Sequence, residues 1–516
     1  MVVVLVGSVF FLRFYRLPEY LMFLSDQGRD AIVLKRLVTL EKLVFVGPTT
    51  SIGNVFTGPF YYYLVAPFML LSGLHPVGPA FGIALINSVG LFGAFWFVVK
   101  RFGRTTALIF LALVGLSANQ IWQSRFSWNP NPVALFTFLT LVAWQLAVER
   151  KRLRYYILAG VLFGLSFQLH YITIVILAPI IFSVISDVVI YVKVNVPKTP
   201  KFILSSSRHL LTKMLLFGGA AVATFAPLIV FEIKNNFINT QTLLRASSAG
   251  EIQAKNSVYL DRLRDTCAGL LQHLFLIEVN RDIAFVVIIF ASLLVFYLAK
   301  KEHRVRSRFI VWSTILVLAN ILALSQLETG RHVHYYNPSY WLVYLIIAYI
   351  ITSLYREIKK YMGRINNKTA TRLTLLLFSL VILTLLSSYV QTQVKSLYFL
   401  TEKPKADTQI THAEHVAQYI IGQTRSNQYQ VVGLPFYETE GHYRFFLEYY
   451  GHRPMPADAL GDPQELFVIC HELNKPDCDI PGNPQWQLAD FENRHHDWRI
   501  ESVKLVEEVR VFKLVY

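Results

Sequence analysis

Long apolar runs recur along the first 390 residues, and they constrain the fold more than any other feature of the sequence. Each run is about twenty residues long, which is enough to cross a ~30 Å hydrocarbon core as an α-helix. Charged residues make up only 16% of the chain, against about 25% in soluble domains. Because backbone polar groups in lipid must be paired within their own segment, the runs are expected to be helical. The sequence therefore predicts an all-α polytopic membrane body.

The connections between the runs carry the charge that orients them. Lysine and arginine collect in five connections, which the positive-inside rule assigns to the cytoplasm: 100–104, 149–154, 193–213, 300–308 and 356–372. They account for much of the net charge of +16, and since no basic stripe with interleaved aromatic residues occurs, we expect no nucleic-acid partner. This topology has about eleven spanning helices, at 2–17, 79–99, 104–121, 132–148, 155–170, 171–192, 213–231, 283–299, 308–325, 338–355 and 371–390.

One further apolar segment, 58–74, is left out of that count. Counting it as a span would place the basic connections on both sides of the membrane, against the charge rule. The segment also contains Pro59, Pro67 and three consecutive tyrosines. We therefore expect an interfacial or re-entrant helix within a long first outer loop, 18–78.

The last part of the chain, 396–516, differs from the membrane body, 1–395. It is polar, rich in turns and mixed in charge, and the topology places it on the outer side. Its periodicity predicts helices at 412–421 and 443–450 and strands at 430–434, 466–470, 499–506 and 509–516. The sequence thus predicts a small soluble α/β domain. Cys470 and Cys478 flank a polar loop there, and either a local disulfide or two free thiols fits their spacing.

Nearly all polar residues other than lysine and arginine cluster on the outer face of the membrane in this topology. The first outer loop contains the sequence Ser-Asp-Gln-Gly-Arg-Asp-Ala at 25–31, followed by Tyr61 in the tyrosine run. Later outer segments are 124–131, 168–171 and 331–338, which contain arginine, histidine and asparagine. An acid at a helix end is by itself only a solvated interface residue. Because acids, arginines and histidines converge on the outer face of the membrane, the sequence instead predicts a functional site on that face.

These outer segments resemble the GT-C glycosyltransferases that use polyprenyl-phosphate sugars, a family 39-like group that includes protein O-mannosyltransferases and lipid A aminoarabinose transferases. The family carries an Asp-Glu-x-Arg-x-Ala motif in its first outer loop. Asp26, Arg29 and Ala31 match this motif, and Gln27 stands at the glutamate position. The family's Lys/His-Pro-Pro motif resembles the segment around Pro59, although the basic residue is missing here.

Two later segments extend the resemblance to about residues 1–390. The Ser-Arg pair ending at Arg125 matches a family loop in which an aspartate often follows, and Asn129 or Asn131 takes that place here. Arg331, Tyr335 and Pro338 match an Arg-x-x-x-Tyr-x-x-Pro pattern before a late helix. The order of the motifs and their shared side of the membrane carry the resemblance.

The resemblance implies transfer of a sugar, a hexose by analogy, from a polyprenyl-phosphate donor with inversion. A phosphate leaves without a general acid, so one carboxylate base is sufficient, and Asp26 is the candidate. The phosphate needs positive charge or strong hydrogen-bond donors, for which arginine is well suited. The predicted donor-binding residues are Arg29, Arg125, Arg331, His332, His334 and Tyr335. No cofactor or metal site is predicted, the sugar lipid being a substrate, and a divalent metal is not excluded.

Six further residues are secondary candidates, each with a structural alternative. Asp30 can simply pair with Arg29, His170 can cap a helix, and Tyr61 can belong to an interfacial aromatic belt. Glu232 ends a helix at the outer face, where it could hold an acceptor or a metal. The secondary candidates are Asp30, Gln27, Tyr61, Asn129, His170 and Glu232.

The predicted protein is a multi-pass enzyme of the cytoplasmic (inner) membrane, with its site and its C-terminal domain outside the cytoplasm. Its partners would be the polyprenyl-phosphate sugar, membrane lipids and an outer acceptor, whether protein, lipid or polysaccharide. The alternative function is a transporter or flippase for a lipid-linked or envelope precursor. A transporter would need ionisable residues near the bilayer midplane and internal repeats, and the sequence offers few such residues and no convincing repeat.

Overall fold

The computed structural model describes residues 2–50, 55–194, 200–248, 258–302, 304–327, 331–365, 367–403, 410–434, 440–456, 463–471 and 498–515. Seventeen helices lie before residue 396 in this part of the chain: α1 Val2–Phe14, α2 Ser25–Val38, α3 Phe60–Leu71, α4 Val77–Phe102, α5 Arg104–Gly115, α6 Ala118–Gln123, α7 Val133–Arg150, α8 Leu153–Leu169, α9 Leu177–Val194, α10 Pro200–Thr224, α11 Ala226–Lys234, α12 Ile238–Ser248, α13 Tyr259–Phe275, α14 Arg281–Lys300, α15 Arg304–Leu324, α16 Asn337–Arg364 and α17 Lys368–Lys395.

Every predicted apolar run coincides with a helix. Seven of the described helices are long and apolar enough to cross a membrane, and the pair α10–α11, bent by 61° at its break, is an eighth candidate. The runs at 2–17, 104–121 and 155–170 form the shorter apolar helices α1, α5 and α8. The polytopic helical body is therefore confirmed, whereas the count of eleven spans stays a prediction.

Segment 58–74 contains the short helix α3, which has 12 residues. At 1.5 Å per residue α3 is about 18 Å long, shorter than a ~30 Å hydrocarbon core and equal in length to α5, so its length alone does not set it apart from the other short apolar helices. Pro67 lies inside it, while Tyr61 and Tyr62 are buried against the body. That α3 does not span the membrane stays a prediction, and these two tyrosines do not form an exposed aromatic belt.

The C-terminal part forms a small α/β domain. It contains α18 Ile410–Gln423, β1 Tyr429–Leu434, α19 Gly441–Tyr449, β2 Glu465–Cys470, β3 Arg499–Val506 and β4 Val509–Val515. The strand order is β1-β2-β4-β3, with β1 parallel to β2 and the other neighbours antiparallel. The four predicted strands are all present. Cys470 is disulfide-bonded and Cys267 is free and buried, while Cys478 lies outside the described residues.

The C-terminal domain docks on the membrane body through α19, which lies alongside α2. Near one end of this contact Phe23 packs edge-on against Phe445 and Phe446, with ring centroids 5.8 and 5.7 Å apart. At the other end the buried carboxylate of Glu448 pairs with Lys35 and Arg36 of α2. The domain is thereby fixed to the helix that carries the Asp-Gln-Gly-Arg-Asp segment.

Candidate active site

Helix α2 sets the geometry of the candidate site, because it begins at the motif itself. Gln27 uses its Oε1 to accept a hydrogen bond from the Leu24 amide at 3.0 Å, which caps the first turn. Asp26 lies in the same turn, where the helix dipole favours a negative charge. Gln27 therefore caps the start of α2, and a glutamate at this position could form the same hydrogen bond.

Arg29 joins the two acids of the motif. Its Nη1 donates to Asp26 Oδ1 at 2.8 Å, and its Nε and Nη2 donate to Asp30 Oδ1 at 3.1 and 3.0 Å. Nη1 also donates to Thr49 Oγ1 at 3.2 Å, which ties α2 to the following loop. The Asp26 side chain is 48% exposed and that of Asp30 only 2%. Asp26 therefore presents its carboxylate outward, whereas Asp30 lies beneath it.

Asp30 is held by the body as well as by Arg29. The Tyr62 hydroxyl donates to Asp30 Oδ1 at 2.8 Å, and Oδ2 is buried without a hydrogen-bond partner among the described residues. Burial raises the pKa of Asp30 to about 6, against the opposing charge of Arg29 and the bond from Tyr62. Burial would lower the pKa of Arg29, but the charges of Asp30 and Asp26 raise it overall. Arg29 is therefore a fixed cation.

A cavity of about 300 Å³ opens beside this triad, and we call it the loop cavity. Arg29, Arg36 and Lys42 contribute cations to its wall. The rest of the wall is mainly apolar and comes from the 43–46 segment and from aromatic side chains such as Phe231 of α11. A cavity that combines cations with an apolar wall suits a ligand with an anionic group and an apolar chain.

A second group of residues, the ring cluster, consists of Trp128, His170, His332, His334 and Tyr335. His334 is central, with its ring centroid 4.6 Å from Trp128, 5.5 Å from His170, 5.7 Å from His332 and 4.5 Å from Tyr335. The fold thus brings together three of the outer segments that the sequence had singled out.

Tyr61 connects the ring cluster to the motif. Its hydroxyl lies 2.7 Å from Ser127 Oγ, next to Trp128 in the chain. The Tyr61 ring also packs against Tyr62, which bonds Asp30. A continuous set of contacts therefore runs from α2 to the ring cluster.

Three secondary candidates have their polar atoms occupied by the fold. His170 Nδ1 accepts a hydrogen bond from the Ile172 amide at 3.2 Å. Asn129 Nδ2 donates to the Leu169 carbonyl at 2.7 Å. The Glu232 carboxylate accepts hydrogen bonds from the amides of Asn239 and Thr240 at 3.0 and 2.9 Å, which caps α12. These contacts are structural.

Arg125 ties distant parts of the chain together. Its Nη1 donates to the Leu12 carbonyl at 3.0 Å, and its guanidinium lies 3.8 Å from the Phe399 ring centroid. Burial lowers the pKa of Arg125 to about 10. Within the described part of the chain these contacts are with α1 and with the segment after α17, not with α2.

Arg331 lies next to the ring cluster in the chain, and its Nε is buried without a hydrogen-bond partner among the described residues. The structure gives no contact between Arg331 and the Asp26–Arg29 pair. Sequence reasoning missed Tyr62, Arg36 and Lys42. Of these only Tyr62 had a signal, because it belongs to the tyrosine run.

Within the described residues, no group of three or more His, Cys, Asp or Glu side chains could hold a metal ion.

Comparisons with known proteins agree with this architecture. The sequence profile of the family described as dolichyl-phosphate-mannose-protein mannosyltransferase matches residues 57–231. ArnT from Cupriavidus metallidurans bound to undecaprenyl phosphate has a TM-score of 0.59 at 12% identity, covering 99% of this chain and 97% of that chain. The structure of the same protein in the apo state gives the same TM-score, identity and coverage. A search of curated protein sequences found no match.

The arabinofuranosyltransferase AftD from Mycobacteria has a TM-score of 0.50 at 12% identity, covering 100% of this chain and 40% of that chain. At such identities the solved structures establish the shared fold, that of multi-pass GT-C proteins. Together with the family profile they confirm the predicted resemblance, and the class is that of glycosyltransferases with the GT-C fold.

Proposed function

We propose that the protein transfers one sugar from a polyprenyl-phosphate donor to an acceptor hydroxyl on the outer side of the membrane, with inversion. The observation that carries this proposal is the exposed carboxylate of Asp26, held by Arg29 beside the cationic and apolar loop cavity. The donor class is supported by ArnT, which has been solved with undecaprenyl phosphate.

Asp26 is the proposed general base. As the acceptor oxygen forms its bond to the anomeric carbon, the bond from that carbon to the phosphate oxygen breaks and the acceptor proton passes to Asp26. The phosphate keeps the electron pair and needs no proton. Attack opposite to the leaving phosphate inverts the anomeric centre. Arg29, fixed by Asp30, holds the Asp26 carboxylate in place, so Asp30 is a positioning residue in this proposal.

The loop cavity is the proposed place for the donor phosphate. Arg29 is shared between two acids and Arg36 pairs with Glu448, but Lys42 has no ion pair among the described residues. Lys42 therefore supplies the positive charge that the missing basic residue of the family motif would provide. The apolar wall would receive the first isoprene units of the lipid.

In this proposal the ring cluster lies beside the sugar that is transferred. His332 is exposed, and the hydrogen bond between Tyr61 and Ser127 links the cluster to α2. We assign Arg331, His332, His334 and Tyr335 to contacts with the donor phosphate and sugar. Arg125 acts from further away by positioning α1. Gln27, Asn129 and Glu232 support the loops that carry the site.

We place the protein in the cytoplasmic (inner) membrane of the cell, with the site outside. Two features support this orientation. The basic connections lie together opposite the motif in the predicted topology, and the C-terminal domain shares the side of α2 because α19 packs on it.

The test uses purified protein in sealed proteoliposomes with labelled donors and an envelope extract as acceptor. Polyprenyl-phosphate hexose, polyprenyl-phosphate aminopentose and nucleotide hexose are compared, and the anomeric configuration of the product is read by NMR. The proposal requires label transfer from a polyprenyl-phosphate sugar with inversion. Transfer from the nucleotide sugar alone, or lipid movement across the bilayer without any transfer, would refute it and favour the transporter alternative.

A further inference from the structure

Helix α17 is buried against the membrane body only near its outer end, as far as the described residues show, while Thr371 and Phe378 contact α16 from a half-exposed stretch. At the outer end the Tyr389 hydroxyl donates to the Leu113 carbonyl at 2.7 Å, and Gln393 accepts from the Ala118 amide at 2.7 Å. The apolar stretch nearer the basic connections has none of its residues buried. This helix leads directly into the C-terminal domain, so its position matters for the docking on α2.

The middle of α17 borders a cavity of about 950 Å³ between α1, α5, α16 and α17, which we call the inner groove. Its walls are mainly aliphatic and aromatic side chains, with threonine and serine between them. In the predicted topology α1, α5 and α16 contribute the halves that lie toward the basic connections, and α17 contributes its central residues, 378–386. The inner groove therefore lies in the leaflet opposite to the candidate active site.

The rim of the inner groove is basic. Arg104 and Arg356 both line it. Arg356 pairs with Glu302 at 2.6 Å, but Arg104 is exposed and has no ion pair among the described residues. Helix α5 begins at Arg104 after Gly103, which offers no side-chain cap, so the first amides of the helix stay available as donors. Charge and donors at this end are complementary to an anionic head group.

We propose that the inner groove binds an anionic phospholipid from the leaflet next to the basic connections. Its acyl chains fill the volume between α17 and the body, where unfilled space would forfeit dispersion contacts. Its phosphate lies against Arg104 and the start of α5. The lipid thereby holds the middle of α17 to the body and supports the C-terminal domain at the outer end of the helix.

The experiment uses the full chain in nanodiscs of phosphatidylcholine with or without phosphatidylglycerol. Lipids retained after delipidation are counted by native mass spectrometry, and thermal unfolding is followed in both mixtures. We expect one tightly retained phosphatidylglycerol per chain and a higher melting temperature in its presence. Arg104→Gln should weaken retention about fivefold, the size of one cationic contact at a membrane surface.

Two further variants make the outcome decisive. Arg372→Gln removes the same charge from the start of α17 without touching the groove, and it should retain the lipid as wild type does. Ala112→Phe places a ring in the groove, and it should exclude the lipid while the protein remains folded. Equal retention of phosphatidylcholine, equal weakening by Arg372→Gln, or displacement of phosphatidylglycerol by added polyprenyl phosphate alone would overturn the proposal.

Discussion

Gly28 of α2 and Gly441 of α19 lie so close together that neither position has room for a side chain. A methyl group on Gly28 would lie 2.2 Å from the His442 amide nitrogen, and one on Gly441 would lie 2.6 Å from the Ser25 carbonyl oxygen. The two helices therefore meet backbone to backbone, which only glycine permits. Because Gly28 stands between Asp26 and Arg29, the C-terminal domain rests on the helix that carries the proposed base.

Gly28→Ala should separate the C-terminal domain from α2, since the obstructing atoms belong to a backbone that cannot rotate away. We expect a stability loss of about 1–3 kcal/mol, typical of overpacking, with faster proteolysis of the C-terminal domain and reduced sugar transfer. Gly422→Ala is the matched control, because a methyl group at Gly422 in α18 meets nothing within 4 Å. Wild-type proteolysis and transfer for Gly28→Ala would contradict this account of the contact.

Glu448→Gln should weaken the same interface from its other end. Burial alone would raise the pKa of Glu448, but Arg36 and Lys35 lower it overall, so its stabilising contribution is present at neutral pH and is lost as the pH falls through this lowered value. Removing one partner of a buried ion pair costs about 3 kcal/mol. Thermal unfolding at pH 7 measures the loss. Glu507→Gln, which affects an exposed pair with His415, should change little by comparison.

Asp30→Asn should change how stability depends on pH. The native carboxyl binds its proton near pH 6, whereas an unfolded one does so near 3.8. Between these values the native state holds more protons, so wild-type stability falls as the pH rises, by up to about 3 kcal/mol. The stability of the asparagine variant should not show this decrease with rising pH. Melting temperatures of both proteins from pH 4 to 7 provide the test, and parallel profiles would show that the pKa of Asp30 is not raised.

Arg125→Met should lower the free energy of unfolding without weakening the binding of the polyprenyl-phosphate donor. The variant loses the hydrogen bond to Leu12 and the contact with the Phe399 ring, together about 2 kcal/mol. We expect a lower melting temperature and an unchanged KM for the polyprenyl-phosphate sugar. A large rise in KM at unchanged stability would instead assign Arg125 to the donor phosphate, as the family resemblance implies.

The sequence predicted well what depends on local pattern. The apolar runs, the four strands and the grouping of Asp26 with Arg29 follow from periodicity and from spacing within one helix. Gln27 and His170 show the limit of this reasoning, because a capping residue and a ligand-binding residue look alike in sequence. Their local hydrogen bonds become visible only in the folded chain.

Long-range contacts were not predictable from the sequence. Gly28 and Gly441 are far apart in the chain, and no pattern signals that two glycines meet across two domains. Likewise Arg125 follows α6 and Phe399 follows α17, and the two meet only because both segments pack with α1 in one cluster. Such contacts depend on packing of the whole protein, which neither helix periodicity nor charge patterning encodes.

Asp26→Asn tests most directly whether Asp26 takes the proton from the acceptor hydroxyl. Asp265→Asn is the control, because Asp265 is similarly exposed, at 44%, and also faces an arginine. We predict that Asp26→Asn lowers the rate of sugar transfer by 10²–10⁴-fold, roughly the contribution of a general base, with unchanged insertion and donor binding, while Asp265→Asn retains wild-type activity. Transfer by Asp26→Asn at the wild-type rate would contradict the account.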